Sequence, residues 1–267
     1  MARAAGFPNV ITGDMGGTSF DVSLIAQGQA ALAAQTAIEF GLVVRSPMIQ
    51  IETIGAGGGS IASVDAGGML QVGPESAGSV PGPACYGRGN TRPTVTDANV
   101  LLGRIAADRP LGGGLLQALD AKKAEDAIRT HVAEPLGLDV MAAAEAILTV
   151  ANARMAGAIR VVSIERGHDP AKFIAMPFGG GGALHVCALI RQVGLKCALV
   201  PRFPGNTSAI VWPPSPVAGS SRPTARSSIA SIGVRDESTL RRIQTLLSSS
   251  WVRRSSSLRV PLRVMSM

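Results

Sequence analysis

Residues 13–24 read GDMGGTSFDVSL, and this stretch decides the fold prediction. Apolar residues flank a central glycine pair, which predicts a β-hairpin with a very tight turn. Such a turn can aim consecutive backbone N–H groups at an anion. Thr18 adds a hydroxyl, and Asp14 and Asp21 flank the turn. If the turn binds a phosphate, a carboxylate beside it makes sense mainly when a shared Mg²⁺ lies between the two. The alternative interpretation is an ordinary glycine turn with solvated acidic side chains.

Two more glycine-rich segments lie between predicted regular elements. Residues 55–60, GAGGGS, join two apolar segments, which favours a fixed loop whose N–H groups hold a phosphate or a substrate carbonyl. Residues 178–185, FGGGGALH, follow a predicted strand at 172–177 and lead into a predicted helix at 183–193. Glycine N–H groups at a helix N-terminus are a natural anion or nucleotide position. A strand at 196–200 completes a β–α–β unit, for which we predict parallel pairing.

The rest of residues 1–210 predicts an α/β chain. Residues 1–105 are rich in strand and turn signals. In the whole chain glycine is abundant, with 32 residues, and aromatic residues make up 3%. A helix is predicted over 119–132 with Asp120 as its N-cap. Asp139 is predicted to cap a longer helix that runs to about residue 165 and ends at Gly167.

Residues 211–267 differ from the rest in composition. They hold 14 serines and nine arginines but only two acidic residues, so they carry the whole net charge of +7, whereas residues 1–210 have 16 basic and 16 acidic residues. A high pI confined to one tail does not indicate a nucleic-acid-binding surface. We interpret this segment as a solvated or disordered tail, in which 241–247 alone has the pattern of a short helix.

Composition also bears on compartment. No run of about 18 uninterrupted apolar residues is present, so we predict no membrane span, and the N-terminus lacks the apolar core of a secretion signal. The three cysteines, at 85, 187 and 197, form neither a disulfide framework nor a metal-binding pattern. These features predict a cytoplasmic protein.

Four further side chains are candidates for chemistry. His185 is either a ligand or proton carrier or, as we favour, a structural hydrogen-bonding residue. Cys85 lies in a Pro/Gly-rich loop and is a candidate nucleophile, but no activating base can be identified for it. Asp65 and Asp97 are candidate acid/base or metal-binding groups. Sequence alone does not place any of these carboxylates near another.

The chain resembles a known family through several ordered motifs. Residues 13–24 are similar to the second phosphate loop of the actin/Hsp70/sugar-kinase ATPase superfamily, DxGGTxxDVS on a strand–turn–strand hairpin. Within it, the chain looks most like the hydantoinase A/oxoprolinase family. The supporting strings are TIGAGGGSIA at 53–62, VGPESAG at 72–78, PGPACYGRG at 81–89, PTVTDAN at 93–99, ERGHDP at 165–170 and FGGGGALH at 178–185.

The resemblance implies a fold, cofactors and site residues. The fold would be a partial actin-like ATPase, or ribonuclease H-like, α/β fold, and the cofactors ATP and Mg²⁺. Asp14 and Asp21 would manage metal and water, with Asp14 as the metal ligand. The implied cofactor-binding residues are Gly16, Gly17, Thr18, Gly55, Gly57, Gly58, Gly59, Gly179, Gly180 and Gly182. The last three belong to the adenosine-side loop, where Gly181 and Ala183 depart from the Ala and Pro more usual in the family.

The implied reaction is ATP-dependent opening of a cyclic amide such as a hydantoin or 5-oxoproline, by phosphorylation of its carbonyl oxygen. A second branch of the family, similar to the acetone carboxylase beta subunit, carboxylates ketones with ATP and is the alternative. The family implies a hydantoinase B-type partner subunit. A nucleotide-binding regulatory module of the Hsp70 or actin type is disfavoured by the strings at 81–89 and 165–170.

Two departures from the family pattern predict an incomplete enzyme. Family members carry a first glycine-rich phosphate loop in an N-terminal domain, whereas the only GGT in this chain is at 16–18. Similarity stops after Ile210, so we divide the chain into a catalytic-domain portion, 1–210, and an atypical tail, 211–267. A reading-frame shift near residue 210 is one explanation of the tail. An inactive truncated fragment is therefore a further alternative.

Overall fold

The computed structural model describes residues 1–37, 43–108, 118–202, 204–206 and 230–232. The strands are β1 Val10–Met15, β2 Phe20–Ala26, β3 Gln29–Ala30, β4 Leu32–Ala33, β5 Thr36–Ala37, β6 Val43–Val44, β7 Met48–Ile49, β8 Glu52–Ile54, β9 Ser60–Val64, β10 Leu70–Ser76, β11 Ile174–Phe178, β12 Ala198–Val200 and β13 Ala230–Ile232. The helices are α1 Val95–Leu101, α2 Ala121–Ile128, α3 Glu134–Leu136, α4 Val140–Val162 and α5 Gly179–Val193.

A mixed seven-stranded sheet carries the predicted hairpin. Its order is β13-β12-β11-β1-β2-β3, and β8 also pairs with β2. β1 and β2 are antiparallel, whereas β1 and β11 run parallel and so do β11 and β12. The predicted α/β class and the parallel β–α–β unit are therefore confirmed.

Side-chain alternation in the strands gives the sheet two different faces. Ile11, Met15, Phe20, Val22 and Leu24 lie in the main core together with residues of α4 and α5. On the opposite face, Val10, Ile174, Met176 and Leu199 form a smaller apolar cluster, against which residues such as Phe7 pack. The polar residues of the hairpin, among them Asp14 and Asp21, alternate onto this second face.

The predicted helix starts are confirmed for α2 and α4. The Asp120 side chain accepts a hydrogen bond from the Lys123 N–H, and Asp139 caps α4 through the N–H groups of Met141 and Ala142. α2 continues through a π-helical turn, Arg129–Ala133, into α3. After α4 a short 3₁₀ turn ends at Gly167, whose φ of 77° is left-handed, as a helix-ending glycine requires.

α4 is long and apolar enough to pass for a membrane helix. With the 3₁₀ turn that follows, Val140–Arg166 has a mean hydropathy of 1.4 in an 18-residue window, of which 56% is buried. Eleven of its residues are buried, and α4 packs against α1, α5, β2, β8 and β10. These contacts are those of a core helix.

α5 begins four residues earlier than predicted, because the glycines themselves are helical. A glycine run normally disfavours a helix, but here atoms of β1 lie where side chains would project. A Cβ on Gly181 would lie 2.8 Å from the Met15 sulfur, and one on Gly182 would lie 3.2 Å from the Gly13 carbonyl oxygen. Tertiary contact with β1 therefore outweighs helix propensity.

Beyond residue 210 the structure describes only β13, which pairs antiparallel with β12. The predicted short helix at 241–247 and most of the predicted tail lie outside the described residues. The division of the chain at residue 210 stays a prediction.

Candidate functional site

The hairpin turn presents open backbone amides. The Gly16 N–H donates to the Ser19 carbonyl at 3.1 Å, which closes the turn. Gly16, Gly17 and Thr18 are exposed, and a Cβ at Gly16 or Gly17 would meet nothing within 4 Å. Within the described part of the chain, the N–H groups of Gly17 and Thr18 donate no hydrogen bond. The turn thus offers two free donors in open space.

Asp14 and Asp21 face each other across the base of this turn. They are directly paired in the β1–β2 register, so both carboxylates lie on the same face of the sheet. The Ser19 hydroxyl donates to Asp21 at 3.2 Å, and the Thr53 hydroxyl donates to its other oxygen at 2.6 Å. Asp21 is therefore held in a fixed orientation by two hydroxyl groups.

Asp14 has a different environment from its partner. Partial burial, and then the negative charge of Asp21, raise the pKa of the Asp14 carboxyl above its usual value. No side-chain hydrogen bond holds Asp14 within the described residues. A carboxyl group with a raised pKa beside a fixed carboxylate is suited to share a cation or to carry a proton.

The start of α5 lies against Asp14, one of the two carboxylates. Gly179 has a φ of +78°, and a Cβ there would lie 2.3 Å from the nearer Asp14 oxygen and 2.5 Å from the Met15 carbonyl oxygen. Gly180 is exposed and has open space around it. The helix N-terminus, with its unpaired amides and positive dipole end, therefore opens next to the carboxylate pair.

The loop at 55–60 contacts the back of the hairpin turn. The Gly58 N–H donates to the Gly16 carbonyl at 3.0 Å, and the Gly59 N–H donates to the Gly17 carbonyl at 2.6 Å. The structure thus brings all three glycine segments of the sequence prediction to one place. It leaves the identity of their ligand as a prediction.

Asp97 has a structural environment. Its carboxylate is fully buried and accepts hydrogen bonds from the backbone N–H groups of Ala84, Cys85 and Thr94 and from the Thr94 hydroxyl. With Thr94 it forms the capping box of α1. Asp97 thus ties the loop at 81–89 to the start of α1.

Cys85 is poorly suited to be a nucleophile. The side chain is fully buried, and this burial, followed by the nearby Asp97, raises the pKa of the thiol far above its usual range. The thiolate is the reactive form of cysteine, so this environment suppresses its reactivity.

Asp65 lies apart, on the surface. Its carboxylate closes a turn by accepting hydrogen bonds from the N–H groups of Gly67 and Met69 and from the Gln71 amide.

Within the described residues, no group of three or more His, Cys, Asp or Glu side chains is arranged to hold a metal.

His185 is buried and hydrogen-bonded between helices. Its Nδ1 lies 2.7 Å from the Asn152 side-chain oxygen, and its Nε2 lies 3.5 Å from the Asn99 amide nitrogen. Burial, with a smaller effect of Arg104, lowers the pKa of His185 to about 4. These contacts fit a neutral ring that donates from Nδ1 and accepts at Nε2, and they match the structural interpretation favoured above.

The site includes residues that sequence reasoning did not single out. Thr53 holds Asp21, and Thr96 holds the Gly58 carbonyl through both its hydroxyl and its N–H at 2.8 Å. Both threonines lie inside the motif strings. Their partners are 32 and 38 residues away in sequence, so no local pattern could have identified them.

Comparison with known proteins identifies the relatives of this chain. A family model described as hydantoinase/oxoprolinase matches residues 1–212. Caprolactamase subunit alpha from Pseudomonas jessenii is 49% identical over 210 residues, which are 78% of this chain and 30% of the relative. The acetophenone carboxylase gamma subunit of Aromatoleum aromaticum is 42% identical over 217 residues, 81% of this chain and 28% of the relative.

A solved structure has the same fold. The crystal structure of the ATP-dependent caprolactamase from Pseudomonas jessenii matches with a TM-score of 0.71 and 49% identity, over 78% of this chain and 30% of that one. The chain therefore spans about three tenths of the length of the relatives named here.

Proposed function

The chain belongs to the hydantoinase/oxoprolinase family, and we propose that it is the ATP-binding catalytic portion of a subunit that opens a cyclic amide of the hydantoin or 5-oxoproline type. One observation carries the proposal. Two facing carboxylates, Asp14 and Asp21, lie between a turn with free amides and the N-terminus of α5. The higher identity to a caprolactamase subunit than to a carboxylase subunit favours the cyclic amide over the ketone.

The residues at the turn fit a phosphate group. The free N–H groups of Gly17 and Thr18 are donors to phosphate oxygens, and the open space beside Gly16 and Gly17 leaves room for the group. Gly179 and Gly180 at the start of α5 offer a second set of amides, on the adenosine side of the nucleotide, and Gly182 belongs to the same loop but is buried against the Gly13 carbonyl.

The carboxylate pair fits Mg²⁺. This cation prefers oxygen ligands and takes one or two carboxylates, with waters and phosphate oxygens completing its coordination. In the proposed site Asp14 is the metal ligand, and Asp21, held by Ser19 and Thr53, lies beside it. Asp14 and Asp21 also orient the attacking water and hold its proton.

ATP, when bound, supplies the phosphoryl group that turns an amide carbonyl into an electrophile that water can attack, and Mg²⁺ offsets the phosphate charge. The protein groups position this chemistry: amides fix the phosphates and carboxylates fix cation and water. A hydantoinase B-type partner subunit and a cytoplasmic location complete the proposal. Support for a partner comes from the relatives, two of which are named as subunits.

Calorimetric titration with Mg·ATP tests the nucleotide site. We expect weak binding by the chain alone and at least tenfold tighter binding once it is joined to a family N-terminal domain, because the superfamily mechanism uses a phosphate loop from each lobe. Equally tight binding by the chain alone would contradict the expectation that the nucleotide site needs a second phosphate loop. If neither form bound, the chain would be an inactive fragment.

ATP turnover by the joined protein with its partner subunit tests the substrate class. We expect phosphate release to rise with hydantoin, 5-oxoproline or caprolactam. A rise with acetone or acetophenone plus bicarbonate, and with none of the cyclic amides, would instead establish the ketone carboxylase alternative.

A further inference from the structure

The amides of residues 56–60 all donate hydrogen bonds within the protein. The N–H of Ala56 donates to Ile54, that of Gly57 to the Ser60 hydroxyl, and that of Ser60 back to the Gly57 carbonyl. The N–H groups of Gly58 and Gly59 donate to the hairpin turn. All five amides from residue 56 to residue 60 are therefore engaged, and none is free for an anion.

The two bonds to the turn fix peptide planes rather than isolated atoms. The Gly16 carbonyl shares its peptide plane with the Gly17 N–H, and the Gly17 carbonyl shares its plane with the Thr18 N–H. In a trans peptide the C=O and N–H point in opposite directions. Because the 55–60 loop holds both carbonyls, the N–H groups of Gly17 and Thr18 point away from the Gly58 and Gly59 amides, and both residues are exposed.

The glycines of the loop are required by the closeness of the two backbones. A Cβ on Gly57 would lie 2.5 Å from the Thr18 nitrogen, and one on Gly59 would lie 2.9 Å from the Gly17 oxygen. Neither position has a left-handed φ that would by itself call for glycine. Close backbone approach therefore explains both residues.

The loop is itself held from behind. The Gly58 carbonyl accepts both the hydroxyl and the N–H of Thr96 in α1 at 2.8 Å, and the Gly59 carbonyl accepts the Ala77 N–H at 2.9 Å. The chain of contacts thus runs from α1 through the loop to the turn.

We propose that the 55–60 loop is a positioning element, which orients the Gly17 and Thr18 amides for phosphate without contacting the nucleotide itself. The inference rests on the proposed function of the turn as a phosphate site. It assigns Gly57, Gly58 and Gly59 an indirect role in place of the direct contact expected from the sequence. Donors fixed before the ligand arrives need no reorganisation when it binds.

The test compares Gly57→Ala with Gly157→Ala, whose added Cβ on α4 meets nothing within 4 Å. In the ¹⁵N-labelled full chain without ligand, we expect order parameters of about 0.85 for the Gly17 and Thr18 N–H vectors. These values should fall below about 0.6 in Gly57→Ala and stay unchanged in Gly157→Ala. Titration of the same proteins with Mg·ATP, and with tripolyphosphate as a probe of the phosphate site alone, should show affinity roughly 10–100-fold lower in that variant.

Unchanged order at Gly17 and Thr18 in Gly57→Ala would overturn the inference, and so would lost order with unchanged affinity. If neither the parent chain nor the chain joined to an N-terminal domain binds these ligands, the proposed function fails, and the order comparison alone decides whether the loop orients the turn. Should Gly57→Ala not fold, Thr96→Val replaces it, because this change removes only the hydroxyl bond to Gly58. Thr96→Ser, which keeps the hydroxyl, should then restore both order and affinity; failure to restore them would count against the inference.

Discussion

At the scale of single residues, the two carboxylates of the hairpin show how environment separates chemically identical groups. Asp21 is held by two hydroxyls, whereas Asp14 lies partly buried against Gly179 with no side-chain donor among the described residues. Like charges directly opposite each other on a sheet are destabilising. A fold that keeps such a pair is less stable than it could be, as is common where residues are retained for function.

Removing one charge should therefore stabilise the protein. We expect Asp14→Asn to raise the free energy of unfolding at pH 7 by roughly 0.2–1 kcal/mol, because repulsion and desolvation of the Asp14 charge are relieved. Since the folded-state pKa of Asp14 is raised, the wild type loses stability as pH rises through that pKa. The gain should accordingly vanish at pH below about 3, where Asp14 is protonated in both states.

Chemical denaturation at several pH values measures this gain. The matched control is Asp21→Asn, which removes the same repulsion but puts an amide NH₂ near the Ser19 and Thr53 hydroxyls, so its gain should be smaller. A loss of stability in Asp14→Asn at pH 7 would contradict the assignment. Both variants should bind Mg·ATP more weakly if the proposed site is correct.

At the scale of elements, α5 illustrates a glycine run used for close packing. Its first residue combines a left-handed backbone with contact to β1, so two separate requirements exclude a side chain at Gly179. The glycine after the helix, Gly194, has a similar φ of +82° but nothing within 4 Å of an added Cβ. Adding a side chain at Gly194 therefore has only the conformational cost of a left-handed φ, whereas adding one at Gly179 has the steric cost of contact with β1 as well.

Alanine at each end should give different losses of stability. Gly194→Ala should cost about 1–2 kcal/mol, the penalty for an L-residue in the left-handed region. Gly179→Ala should cost clearly more, since the new Cβ also displaces the Asp14 carboxylate and the Met15 carbonyl, and it should weaken Mg·ATP binding as well. Thermal unfolding of the two variants measures the difference. Equal losses would show that the contact between α5 and β1 is looser in solution.

At the scale of the whole molecule, a buried polar network joins three helices. His185 in α5 is hydrogen-bonded to Asn152 in α4 and lies within reach of Asn99 in α1. The helix that supports the 55–60 loop is thereby linked to the helix that begins at the carboxylate pair. Protonation of His185 would remove its acceptor at Nε2 and leave a buried charge near Arg104.

Global stability should accordingly fall in mild acid. The pKa of His185 is about 4 in the folded protein against 6.5 as its ordinary value, so its contribution is present above about pH 6.5 and is lost towards pH 4. Between pH 6.5 and pH 4 the free energy of unfolding should fall by about 3 kcal/mol. Urea denaturation between pH 7 and pH 4 measures it.

Two variants isolate the contribution of this residue. His185→Gln should remove most of the slope between pH 6.5 and pH 4, at the cost of lower stability at pH 7. His131→Gln, at a half-buried position in the π-helical turn, is the matched control for the loss of a histidine outside this network. A wild-type slope that persisted in His185→Gln would contradict the assignment.

Much of the fold was accessible from local signals. The hairpin at 13–24, the caps at Asp120 and Asp139 and the β–α–β order around α5 each depend on neighbouring residues, and the structure confirms them. The start of α5 is predicted too late because glycine has a low helix propensity, and helix propensity does not include the contact with β1. The bonds of Asp65 to Gly67 and Met69, and the Thr94–Asp97 capping box, are local, but the bonds that Asp97 accepts from Ala84 and Cys85 join residues 13 and 12 positions apart and leave no local pattern.

The sequence by itself determined the three glycine segments, the carboxylates at the hairpin and the family. Only the tertiary structure decided that these segments meet at one turn, that Thr53 and Thr96 belong with them, and that the amides of residues 56–60 are all hydrogen-bonded. The physical reason is that a hydrogen bond between residues 30 or more positions apart leaves no periodic trace in sequence. Periodicity and turn chemistry report neighbours along the chain, whereas orientation of a binding amide depends on the backbone packed behind it.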